Sequence, residues 1–272
     1  MPANRKTEMK PPPPNPRRVI ATAAALVLAG AIAGYFWGTS SPRQTLADVR
    51  KNIDYDLNAV RENGVVPPHR FLVSLRADLS KVSDLQARKD MFIRILLPHI
   101  IMENRRLRAK RAALEKKAHA GDADARKALD RVDIIPTSLA LAQGAIESAW
   151  GTSRFTREGN AFFGQRTYDD RQSGIVPDGG DGSFKVRTFP TIAAAVRAYM
   201  ANLNSNPAYA DFRARRSALR ARGAAITGLA LAEHLEPYSE RKRAYIESVR
   251  QVIRHNNLSD FNAVRLRDFP RP

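Results

Sequence analysis

From residue 44 onward, apolar positions recur at helical spacing and are interrupted by short polar clusters, a pattern that predicts a mostly helical chain. Residues 44–62 carry Leu46, Val49, Ile53, Leu57 and Val60, the spacing of one amphipathic helix. Asn63-Gly64 ends it, and Pro67-Pro68 blocks continuation. The longest helical run covers residues 83–120. Its first half shows an apolar face of Met91, Ile95, Leu96, His99 and Met102, with Pro98 as the expected kink. Its second half is densely charged and reads as a solvated arm, or as an ionic tether to an anionic polymer or a partner helix. Gly121-Asp122 breaks the run and opens a short helix reaching about residue 132.

Pro136 suits the first turn of the next helix, which presents Leu139, Ala142, Ile146 and Ala149 on one face and ends at Trp150-Gly151. Residues 164–182 change character. Turn signals at Asp169-Asp170, Ser173-Gly174 and Asp178-Gly179-Gly180 surround short apolar pieces, which reads as a small β-hairpin lobe or a long functional loop. Helical spacing resumes over residues 191–204, 224–235 and 240–256. The expected class is α+β, mostly α, with one small β insertion and no internal repeat.

The N-terminal pattern differs. Residues 19–37 read VIATAAALVLAGAIAGYFW, a charge-free run long enough to span ~30 Å of hydrocarbon as a helix. Arg17 and Arg18 precede it, and Arg5, Lys6 and Lys10 lie further back, so the N-terminus is expected to stay cytoplasmic and everything after Gly38 to be exported. Tyr35 and Trp37 fit an interfacial aromatic belt. Ala31-Ile32-Ala33 leaves open a cleaved signal peptide. The expected organisation is a basic, Pro-rich cytoplasmic tail (1–18), a transmembrane signal anchor (19–38), a helical extension (39–132), a compact domain (133–260) and a C-terminal tail (261–272). The expected location is the inner membrane, single-pass, with the compact domain on the periplasmic side.

The net charge of +18 and pI near 10.7 imply attraction to polyanions. Residues 1–18 hold five basic and one acidic residue, so the remainder keeps +14. An exported basic protein meets anionic wall polymer or lipid head groups sooner than nucleic acid, and no nucleic-acid recognition motif is present. The absence of cysteine removes disulfides and thiolate chemistry. None of the five histidines forms a metal-ligand spacing, and no phosphate-binding or dinucleotide fingerprint occurs, so no metal or cofactor is implied.

The candidate chemistry centres on Glu147, a carboxyl in a segment of small and apolar residues. It sits near a helix C-terminus, the negative end of the macrodipole, with Ile146 and Trp150 beside it. Both effects favour the protonated form, as a general acid at a glycosidic oxygen requires. Gly144, one turn back, is expected to leave room for a sugar ring. The bland alternative is a helix-end glutamate paired with Arg154 or Arg157.

The string ALAQGAIESAWGTSRF, followed by GNAFFGQ, resembles the signature of the bacterial glucosaminidase family, A-Q-A-x-x-E-S-x-W-G-x-S followed by N-x-F-G. Ala142, Gln143, Glu147, Ser148, Trp150, Gly151 and Ser153 stand in order, then Asn160, Phe163 and Gly164. Weaker blocks follow at residues 184–189, at Asn206-Pro207-Ala208-Tyr209, and at Tyr238-Ser239 with Tyr245. The resemblance covers about residues 136–257, and Gly174-Ile175-Val176-Pro177 with the long preceding helical region looks most like the Bax-type branch. It implies a lysozyme-like two-lobed domain whose helical lobe faces a small β-lobe across a cleft. It also implies a peptidoglycan glycan strand as substrate, cut after N-acetylglucosamine. By position it implies Glu147 as general acid, Tyr238 placing the acetamido group or a water, and Asn160, Phe163 and Gly164 shaping the cleft. Gln143 and Tyr245 are further implied substrate contacts, and Trp150 is expected to pack under the catalytic helix.

Many members carry a second glutamate in the β-lobe, whereas this chain has none between Glu158 and Glu233. Asp178 and Asp181 are the expected substitutes, with the substrate's own acetamido group as the alternative. A lytic transglycosylase and an inactive peptidoglycan-binding protein are the rival functions.

Overall fold

The computed structural model describes residues 44–67 and 71–267. The charge-free run 19–37, the tail before it, His69 and the last five residues lie outside the described residues. Among the described residues no helix is long and apolar enough to cross a membrane.

Two short helices open the fold, α1 (Leu46–Asn52) and α2 (Leu57–Asn63), where the spacing had suggested one. The break is local chemistry. Ile53 caps α1, the buried Tyr55 donates its hydroxyl to Arg94 O at 2.9 Å, and the Asp56 carboxylate restarts the helix by accepting from Asn58 N. The two-residue strand β1 (Val65–Val66) follows.

The spine is α3 (Leu85–His119), started by the Asp84 carboxylate accepting from Ala87 N at 2.6 Å. Pro98 lies inside it without ending it. From Met91 to Ile101 nearly every side chain is buried, so this half is a central core helix, whereas the charged half is largely exposed. Helix α4 (Ala123–Ala128) returns against it. The Asn104 amide then clamps the next entry, donating to Ile135 O and accepting from Ile135 N. That clamp leads into α5 (Thr137–Glu147).

After α6 (Arg154–Gly159) comes a three-stranded antiparallel sheet of very short strands, β2 (Arg166–Thr167), β3 (Gly174–Ile175) and β4 (Lys185–Arg187), with β4 in the middle. Arg166 pairs with Val186, and Gly174 with Arg187. This is the expected β-lobe. Helices α7 (Ile192–Ser205), α8 (Ala210–Ala221), α9 (Gly228–Ala232) and α10 (Lys242–His255) complete the fold, and β5 (Arg265–Leu266) pairs in parallel with β1. Residues 44–132 and 133–260, read separately in the sequence, contribute to one hydrophobic cluster running from Val49 through Phe92, Leu139 and Tyr199 to Leu258.

Candidate active site

Helix α5 is buried from Thr137 through Ala145, and Glu147 is its last, half-buried residue. The chain turns sharply there. Ala149, Trp150 and Gly151 all hold positive φ, at 49°, 57° and 80°. Ser148 fixes the turn, its hydroxyl donating to Gly144 O at 2.5 Å and accepting from Gly151 N at 2.9 Å. A Cβ on Gly151 would lie 2.9 Å from Leu79 Cδ1, so glycine is required for space as well as for φ. The Trp150 ring packs edge-on against Phe92 at 5.4 Å. Gly144 serves packing and not sugar access, because its missing Cβ would lie 2.8 Å from Leu96 Cδ2 of α3.

Burial pushes the Glu147 pKa above the ordinary glutamate range, and the Tyr245 hydroxyl, Arg241 and Arg166 pull partly against it. The expected alternative partners are engaged elsewhere. Arg154 binds Glu158 and Asp178, and Arg157 binds Asp78. Among the described residues no ion pair reaches Glu147.

Glu147 opens into a cleft of ≈ 510 Å³ that Phe163, Gly164, Arg166, Tyr238 and Arg241 also line. Gly164 has φ +60°, and a Cβ there would sit 2.9 Å from Glu147 Oε2, so its absence lets the chain pass directly over the carboxyl. Phe163 stacks on Tyr199 with ring centres 4.0 Å apart. Tyr238 stacks on Tyr245 at 5.5 Å and donates its hydroxyl to Phe163 O at 3.0 Å, which joins the C-terminal segment to the cleft floor.

The structure therefore brings Glu147, Phe163, Gly164 and Tyr238 together at the cleft, while Tyr245 is buried beneath it and its hydroxyl accepts from Gln143 Nε2 at 2.9 Å. Gln143 and Asn160 are elsewhere, because both are fully buried. Asn160, with φ 50°, accepts from Leu75 N and Ser74 Oγ and donates to Phe189 O, so it clamps three segments in place of touching a ligand. Neither Asp178 nor Asp181 lines the cleft. Asp178 is 89% exposed in its pair with Arg154. Asp181 accepts from Ser183 N, and the Ser183 hydrogen bonds hold its carboxyl below the ordinary range.

Sequence reasoning missed Arg166, Asn202, Tyr209, Glu240 and Arg241, all of which line the cleft. Tyr209 and Arg241 fall in or beside the weaker resemblance blocks, which is the only signal that pointed to them. Glu240 is the one other carboxylate lining the cleft among the described residues, and it is exposed and paired with Arg166 at 3.2 Å.

The sequence model of the mannosyl-glycoprotein endo-beta-N-acetylglucosaminidase family matches residues 122–258, which span α4 to the end of α10 and hold every cleft residue named above. The chain is 31% identical to Protein bax of Escherichia coli strain K12 over 195 residues, covering 62% of this chain and 69% of that protein. Its structure is similar to the catalytic domain of the autolysin Auto from Listeria monocytogenes, with a TM-score of 0.40 and 14% identity over 76% of this chain and 98% of that one. The Glu147 turn, the glycine above the carboxyl and the family match agree: this chain belongs to the glucosaminidase family.

Proposed function

We propose that this protein hydrolyses the β-1,4 glycan of peptidoglycan after N-acetylglucosamine, with Glu147 as general acid. The observation that carries the reading is a half-buried carboxyl at the floor of an open cleft, free of any ion pair among the described residues and raised in pKa by burial. Such a group keeps its proton to higher pH than an ordinary glutamate and can deliver it to a glycosidic oxygen. Neither Asp178 nor Asp181 is placed to activate a water, which favours the substrate-assisted route. In that route the acetamido carbonyl oxygen of N-acetylglucosamine attacks C1 as Glu147 protonates the departing oxygen. A water then opens the cyclic intermediate and returns a proton to Glu147. Arg166 and Arg241 give the cleft a cationic wall that suits a glycan bearing lactyl and peptide carboxylates.

The location follows from residues 19–37, which we read as a single membrane span that holds the catalytic domain on the periplasmic face, with no nucleic-acid partner. Membrane fractionation of the full chain, and of a chain lacking residues 1–38, tests this part. For the chemistry, purified peptidoglycan is digested and the fragments are weighed. Fragments with reducing N-acetylglucosamine support the glucosaminidase. Anhydro-muramyl ends would instead make it a lytic transglycosylase. Binding without release would make it an inactive wall-binding protein.

A further inference from the structure

On the β-lobe the cleft is lined by Arg166, and the face on which Arg166 stands continues past it. Thr167, the next residue of β2, is 5% exposed and turned to the interior, so Arg166 and Tyr168 point together to the other side. The pairing of Thr167 with Lys185 between β2 and β4, carried on by one residue, sets Phe184 opposite Tyr168. The side chains meet as that register requires. The Arg166 guanidinium lies 4.5 Å from the centre of the Phe184 ring, and the Tyr168 ring lies 6.4 Å from it, tilted by 51°. Arg166, Phe184 and Tyr168 form one continuous surface that leads away from the cleft, ~7 Å along the strand from Arg166 to Tyr168. Glu240, paired with Arg166 at 3.2 Å, anchors the cleft end of this row.

Tyr168 is 74% exposed, and it is the only aromatic side chain left exposed among the described residues. A single apolar side chain on a surface needs no partner to explain it. This one differs in place and in chemistry. It closes a face that begins in the cleft. Its ring is flat and apolar with a polar tip, which matches a pyranose: the C–H groups of one sugar face lie on the ring, and the hydroxyls around the sugar rim find the phenol oxygen. The Arg166 guanidinium already occupies one face of Phe184, so Phe184 props Tyr168 and the bare surface belongs to Tyr168. One ring and its neighbour are far smaller than the ~1,200 Å² that a stable protein interface buries, whereas one sugar matches one phenol ring.

We propose that Tyr168 is the platform of an outer sugar subsite, on which a pyranose ring of the glycan strand stacks after the strand passes Arg166. This deepens the glucosaminidase reading and rests on it, since the strand reaches Tyr168 by lying in the cleft. The subsite holds a part of the strand remote from the bond that is cut. It acts on the affinity for long strands and not on fragments that the cleft alone accommodates.

The test titrates peptide-free glycan fragments of peptidoglycan, two or six sugars long, into the full-length protein in detergent. Glu147→Gln is the common background, so that no fragment is consumed. Calorimetry reads Kd, and NMR reads stacking as the upfield shift of sugar protons held over an aromatic ring. The six-sugar fragment is expected to bind this background more tightly than the two-sugar one. Tyr168→Ala weakens the six-sugar fragment about three- to tenfold and removes the upfield shift, with the two-sugar Kd unchanged. Tyr168→Trp keeps a ring and retains both. The exposure of Tyr168 means that these changes leave the fold intact. An unchanged six-sugar Kd in Tyr168→Ala overturns the subsite. Equal weakening of both fragments overturns it too, because Tyr168 then shapes the cleft itself. So does a six-sugar fragment that binds the background no better than the two-sugar one. Release of fragments from peptidoglycan by the protein with Glu147 intact is scored apart: its absence overturns the hydrolase reading, while the subsite stands or falls on the titration.

Discussion

Asp133 and Glu147 are both carboxyl groups drawn away from solvent, and the fold handles them in opposite ways. Asp133, 3% exposed, accepts from Arg220 at 2.5 and 2.8 Å and has Arg111 at 3.4 Å and Arg216 at 3.8 Å. Arg216 is itself 1% exposed and also donates to Ile134 O and Asp130 O. This cluster ties the charged half of α3, the turn before α5 and the helix α8 into one ionic knot. Glu147 has no ion pair among the described residues; burial raises its pKa, and Arg166 and Arg241 act only at a distance. A carboxylate ringed by fixed cations serves as an anchor. One without such partners in an apolar setting keeps its proton to higher pH than an ordinary glutamate. The contrast sets an ion-paired acid apart from one with no ion pair, without reference to sequence motifs.

Several substitutions would break or sharpen that contrast. Glu147→Gln is isosteric and should cut glycan hydrolysis by ~10³–10⁴-fold if the general-acid step is lost. It should leave thermal unfolding unchanged or slightly raised, since an unfavourably placed ionisable group is removed. Asp133→Ala should do the reverse. It leaves Arg216 buried beside uncompensated charge, and denaturant titration should read a loss of about 3–5 kcal/mol. If Asp133→Ala is tolerated, the ionic knot is decorative and the comparison fails.

Gly164→Ala comes next. Its Cβ would crowd Glu147 Oε2 at 2.9 Å and must adopt φ +60°, so kcat should fall by roughly ten- to a hundred-fold through misplacement of the acid. The accompanying stability loss is about 1 kcal/mol. Arg241→Gln should act weakly, lowering turnover of peptidoglycan roughly two- to five-fold at low salt while sparing neutral chitin oligomers. Equal loss on both substrates would show that the arginine shapes the site and does not read substrate charge.

The smallest effect is on the pH dependence of stability. Because the native pKa of Glu147 is raised, the native state binds more protons than the unfolded chain between the ordinary glutamate value and the raised one. Wild-type stability should therefore fall as pH rises through that window, and Glu147→Gln should flatten the fall. Circular-dichroism melts across the window would read it.

Much of the scaffold was legible because its signals are local. Gly121-Asp122 announces the end of α3 and the start of α4, and the Gly164-to-Gly182 stretch announces a β-lobe through its turn residues. Glu147 stood out as a carboxyl among small residues. Helix α8 was not foreseen, and the cause is physical. Its buried face is Phe212, Arg213, Arg216 and Leu219, so half of the inward positions are arginines that periodicity counts as solvent-facing. The β1–β5 pair joins two-residue strands from opposite ends of the described chain, too short and too distant for any pattern to register. In the site, Gln143 was picked out by its motif but assigned to the substrate, because a sequence shows that a polar residue recurs beside the acid without showing its burial. Tyr199 was hidden among the apolar positions of α7, where a tyrosine reads as core. The arginines of the cleft wall sat among 45 basic residues, with nothing in composition to single them out.

The most direct test of the central claim is digestion of purified peptidoglycan by the full-length protein and by Glu147→Gln, with mass analysis of the soluble fragments. The account predicts fragments ending in reducing N-acetylglucosamine from the wild type and none above background from the variant. Equal release by both would remove Glu147 from the chemistry. Release by neither, with both proteins sedimenting with the wall polymer, would contradict hydrolysis altogether.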